Sequence, residues 1–144
     1  MTPFILLIGL GAHSIFEGLA LGLESDAKDT AVFALAICVH KGAAAMSLGI
    51  SIQRSFPGRI GFNVALITVF SLCTPLGVIL GMLLQDDNDL VEIVFSSIAA
   101  GTFLYIACSE VIIEEFSDGI AKWWKWLTFL LGIAFIVVMG LLPE

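Results

Sequence analysis

Residues 3–23 read PFILLIGLGAHSIFEGLALGL, an apolar run with His13 and Glu17 near its middle. About 20 helical residues cross roughly 30 Å of hydrocarbon, so the run is long enough to span a bilayer. It has an apolar core but no basic stretch before it, and an ionisable pair serves no purpose in a cleavable leader. It therefore reads as a helix of the mature chain. Four further runs follow, at about 31–52, 60–84, 90–113 and 123–142. The breaks between them are short: ESDAKD (24–29), QRSFPGR (53–59), QDDND (85–89) and EEFSDGIAK (114–122). Spans this close leave no room for a linker, and no internal repeat or low-complexity segment is present. The expected fold is an all-α membrane protein, a bundle of five transmembrane helices forming one domain over 1–144.

Composition agrees. Of 144 residues 59% are hydrophobic and 13% charged, about half the charge of a soluble domain, and mean hydropathy is +1.06. A soluble fold of this size leaves about a third of its chain surface wet and could not hide so much apolar area. The net charge of −7 excludes a nucleic-acid module, which needs basic patches. Cys38, Cys73 and Cys108 lie in apolar runs with no CxxC pair, so neither a disulfide scaffold nor a zinc knuckle is indicated.

Basic residues set the expected orientation. Arg54, Arg59, Lys122 and Lys125 fall on one side of the bundle and only Lys28 on the other. That places the N-terminus in the cytoplasm and, with five spans, the C-terminus outside. Trp123, Trp124 and Trp126 mark an interface. Glu24, Asp26, Asp29, Asp86, Asp87 and Asp89 gather on the outer side, serving solubility or attracting cations.

Ionisable groups at membrane depth face a cavity or one another. His13 and Glu17, four residues apart, share one helix face about 6 Å apart along the axis. Imidazole and carboxylate from successive turns can hold a borderline divalent cation such as zinc, or simply pair with each other. His40 lies near the middle of the next run at matching depth, beside a wall of small residues at Gly42, Ala43, Ala44 and Ala45. Two imidazoles and one carboxylate leave a position for water, which suits an ion that must be released. Lys41 either pairs with Glu17 when metal is absent or sits where another cation would bind, excluding it by repulsion. In the third run Ser71 and Thr74 can line a polar path beside a kink at Pro75. Glu110 lies near the end of the fourth, with Glu114 and Glu115 beyond it.

These motifs resemble the ZIP (Zrt/Irt-like) zinc transporters. HSIFEGLALG (13–22) is similar to the family's fourth helix, and His40-Lys41-Gly42 with the alanines after it to the fifth. Ser71–Gly77 resembles the sixth, and AGTFLY (100–105) with Glu110 the seventh. The likeness covers essentially the whole chain and leans toward the branch holding mammalian plasma-membrane members. It implies multi-pass residence in the plasma membrane and zinc uptake toward the cytoplasm by alternating access. His13, Glu17 and His40 fall on metal-ligating positions, and the ion is substrate, with no organic cofactor. Ser14 stands where many members have Asn. Lys41 and Ala44 stand where others have carboxylates that build a second metal site, and Thr74 where some have glutamate, so a single transported ion is expected. The family fold has eight spans arranged 3+2+3 and forms homo-oligomers. Its first three helices have no counterpart here, so the chain reads as a partial version, a C-terminal fragment. The runner-up is a truncated, non-transporting regulatory or assembly subunit. An intramembrane zinc-dependent hydrolase with Glu17 as base ranks lower, since no HExxH motif is present.

Overall fold

Polar interruptions decide where each helix begins and ends. The computed structural model describes residues 3–84, 89–117 and 121–141, and within them every extended element is helical. Helix α1 is Pro3–Leu23, α2 Ala27–Ser55, α3 Ile60–Leu83, α4 Asp89–Ile106, α5 Ile113–Ser117 and α6 Lys122–Leu141. Four helices among the described residues are long and apolar enough to cross a membrane, within Pro3–Leu23, Ala27–Ser55, Ile60–Leu83 and Leu90–Ser109. Helix α6, 20 residues long, corresponds to the fifth expected run.

Helix α2 starts four residues earlier and ends three later than the hydropathy pattern suggests. The Asp26 side chain accepts from the backbone N–H of Lys28 at 2.7 Å and of Asp29 at 3.3 Å, closing the first turn. The far end stops at Phe56-Pro57-Gly58, where Gly58 has a φ of +80°. Asp26→Ala is expected to cost about 1 kcal/mol. Faster hydrogen exchange at the Lys28 and Asp29 amides than in the wild type is the measurement that checks it. The fourth run also departs from a plain span. After Ile106 the chain passes through a π-helical stretch, Ala107–Ile112, before α5. Its wider turn takes up an extra residue, which hydropathy does not register.

Helix α1 is the axis of the molecule. It packs most extensively on α3, then on α4, and less on α2. Gly18 and Gly22 lie directly against Gly77 and Gly81, so α1 and α3 run parallel with their backbones in contact. A Cβ on Gly18 would meet the Thr74 carbonyl oxygen, and one on Gly77 the Ile15 carbonyl oxygen. This paired small-residue spacing is how helices approach closely in lipid. Helix α4 runs antiparallel to α1, with Phe16 stacked on Phe95 at a centroid distance of 6.2 Å. Near the start of α1, Leu6 and Leu10 join Leu48, Ile52, Phe70 and Ile106 in a buried cluster.

Outward faces of α2, α3 and α4 expose large apolar side chains such as Leu35, Ile50, Leu72, Ile79 and Ile93. Helix α6 stands at the edge. Trp126 and Phe129 cluster with Phe116 of α5, and nearly all its described side chains are exposed.

Candidate metal site

The glycine seam and the antiparallel α2 and α4 bring three of the expected residues to one point. His13 and Glu17 sit on the buried face of α1, at 7% and 5% exposure. His40 reaches over from α2. Its Nε2 lies 2.6 Å from Glu17 Oε1, while His13 Nε2 lies 3.8 Å from the same oxygen. One ligand atom from each of His13, Glu17 and His40 falls within 4.8 Å of the others. The two rings face each other at a centroid distance of 6.3 Å.

His13 is held from behind. Its Nδ1 lies 2.9 Å from the Ala99 carbonyl oxygen of α4. A carbonyl can only accept, so Nδ1 carries the hydrogen and the neutral ring keeps its lone pair on Nε2. That Nε2 is buried and has no hydrogen-bond partner among the described residues. Phe103, one turn along α4, packs on both imidazoles at 4.9 and 5.8 Å.

Lys41 turns away from this cluster. Its Nζ donates to Thr74 Oγ1 at 2.5 Å and to Ser14 Oγ at 3.3 Å, and sits 4.5 Å from the centre of the Phe70 ring. Of the two alternatives for Lys41, pairing with Glu17 is not what forms; His40 makes the short contact with that carboxylate.

The family described as ZIP zinc transporter matches residues 1–140. The chain belongs to the ZIP family. It is 35% identical to zinc transporter ZIP1 of Mus musculus over 92% of its own length and 42% of that protein. Zinc transporter ZIP2 of Homo sapiens is 31% identical over 98% of the chain and 47% of the relative. Protein zntD of Dictyostelium discoideum is 41% identical over 81% of the chain and 18% of the relative. The chain thus spans less than half the length of these curated relatives. No solved structure matches it. Family and helices together make it a multi-pass membrane protein, and the two ZIP relatives are named as transporters rather than enzymes.

Other expected positions in this ZIP chain scatter. Ala44 packs against the buried cluster around Leu48 and Phe70. Gly42, on the same small-residue wall, has nothing within 4 Å of where a Cβ would stand. Ser71 is exposed, donates to the Ile67 carbonyl at 2.9 Å and lines a cavity of about 350 Å³ between α2 and α3. Helix α3 continues through Pro75 to Leu83. Glu110 falls in the π-helical stretch, and its side chain, like those of Glu114 and Glu115, lies outside the described residues, as do Asp86 and Asp87. Three groups at the site went unread in the sequence: the Ala99 carbonyl, Phe103 and Phe70. A backbone oxygen leaves no trace in residue type, and two phenylalanines among 11 in an apolar chain carry no distinguishing signal.

Proposed function

We propose that the chain is the metal-holding part of a ZIP zinc transporter, corresponding to the family's fourth to eighth helices, and that His13, Glu17 and His40 bind the passing ion. The observation that carries this is the buried His13 Nε2, without a partner and next to a carboxylate and a second imidazole. A buried nitrogen lone pair left unused is unfavourable. A cation at the centre of the three groups uses it. Tetrahedral zinc with nitrogen and oxygen ligands at about 2.0–2.1 Å holds its ligand atoms about 3.3 Å apart. That value lies between the 2.6 Å and 3.8 Å contacts Glu17 makes with His40 and His13. Small side-chain movements therefore suffice. Three protein ligands leave a fourth position for water and for exchange, and imidazole with carboxylate suits zinc. Names of the relatives point to the same ion. The basic residues at the α2–α3 turn and the start of α6 put those ends in the cytoplasm, and the family resemblance implies uptake toward that side across the plasma membrane.

Zinc titrated into the purified chain in detergent is the test. Imidazole binds metal only as the neutral ring, so affinity falls on acidification, by about tenfold per pH unit for each proton displaced. Calorimetry in two buffers of different ionisation enthalpy reads the released protons. Zinc flux into liposomes containing the protein tests passage itself. Binding insensitive to His13→Ala and His40→Ala would place the ion elsewhere.

A further inference from the structure

Lys41 ends in a pocket whose chemistry fits its ammonium group and does not fit a divalent metal. An ammonium has three N–H bonds and no acceptor. Two of them find Thr74 Oγ1 and Ser14 Oγ, and the Phe70 ring face lies 4.5 Å away. Thr74 Oγ1 also lies 3.3 Å from the Ser14 carbonyl oxygen, to which it donates its hydrogen, so its lone pairs are left to accept from Lys41. The walls are fixed. Ser14 and Phe70 are 2% and 1% exposed, and the glycine seam between α1 and α3 locks Ser14 against Thr74. Among the described residues no carboxylate bonds to Lys41 in this cage. Neutral hydroxyls and a ring face suit a monovalent cation that donates hydrogen bonds, whereas a divalent ion demands charged or more numerous oxygens.

We propose that Ser14, Thr74 and Phe70 form an ammonium cage permanently filled by Lys41, and that its fixed positive charge weakens the adjacent metal site so that the ion is readily released. The cage stands on its own geometry, while the effect on release rests on the metal-site reading above. With Glu17 as the one carboxylate of the metal site, Lys41 brings the local charge back to neutral before any metal arrives. Like charges at short range in a poorly screened interior repel.

Lys41→Ala removes three carbons and the ammonium, which is n-propylammonium. Adding n-propylammonium to this variant is expected to raise its melting temperature by several degrees. The same concentration of 1-propanol, matched in shape but neutral, should not, and the wild type should respond to neither. Zinc affinity of Lys41→Ala should exceed the wild-type value by on the order of tenfold, fall again when n-propylammonium is added, and saturate at one ion per chain. Equal rescue by 1-propanol would reduce the cage to an unspecific cavity. Unchanged or weaker zinc binding would remove the electrostatic role while leaving the cage intact. If Lys41→Ala does not fold, Lys41→Met keeps the apolar stem and carries the zinc measurement, where wild-type affinity overturns the electrostatic role. Absence of zinc binding in the wild type itself would refute the metal-site reading. The n-propylammonium shift would still decide the cage.

Discussion

Glu17→Gln is expected to abolish zinc binding, lowering affinity by at least about a hundredfold while leaving the helices folded. Loss of a group that merely orients a ligand already costs 10–100-fold, and Glu17 is more than that. It is the one carboxylate in the cluster, and a single oxygen of it meets both imidazoles. Glutamine keeps the shape and an acceptor oxygen but not the charge that offsets a dication. Competition with a chelating dye measures the loss, and a circular dichroism spectrum like that of the wild type shows that folding survives. His13→Ala and His40→Ala should also lose binding, though not by the same route. His13 is buried and bonded to Ala99, so its removal opens a cavity and destabilises the helix pack as well. His40, at 25% side-chain exposure, should be lost with little effect on stability. Wild-type affinity in Glu17→Gln would remove the carboxylate from the site.

Gly77→Ala, like the same change at Gly18, Gly22 or Gly81, is expected to be strongly damaging. The added carbon would lie against the Ile15 carbonyl oxygen, the Gly18 Cα and the Leu19 nitrogen, all of them backbone. Rotamer changes relieve a clash with a side chain, but here a whole helix must shift. Overpacking usually costs 1–3 kcal/mol, and a contact that only backbone displacement can relieve should reach about 3 kcal/mol or more. Unfolding in mixed detergent micelles reads the difference. Gly42→Ala is the matched control, since its new methyl would meet nothing within 4 Å. It should change stability by no more than about 0.5 kcal/mol. Equal effects at the two positions would show that α1 and α3 are not held by their glycines. Moving α1 from α3 also parts Ser14 from Thr74, so Gly77→Ala should loosen the grip on Lys41 too.

The helices were legible because lipid is a demanding solvent. Unbroken apolar runs of about 20 residues have few uses other than spanning it, and the polar breaks at 24–29 and 53–59 fix the turns to within a few residues. The meeting of His13, Glu17 and His40 was legible from spacing and depth alone, as imidazoles and carboxylates seldom occur at mid-membrane without facing each other. What escaped was whatever depends on backbone geometry. Asp26 looks like part of a polar break, yet its side chain prolongs α2 by a turn. The π-helical stretch after Ile106 has the same apolar character as an α-helix. Lys41 allowed two readings on paper, a pairing with Glu17 or a place where another cation would bind. Only the register between α1 and α3, set by glycines with no side chain to read, decides that it meets Ser14 and Thr74.

Position 99 carries a warning for anyone mapping this protein by saturation mutagenesis. The oxygen that steers His13 is common to all twenty amino acids, so Gly or Ser there would score as tolerated although the interaction is indispensable. Genetic screens register what side chains contribute. An amide-to-ester exchange at the bond between Ala99 and Ala100, which weakens that acceptor and also removes the Ala100 N–H, would expose, against the same exchange elsewhere in α4, a dependence no codon change can reveal.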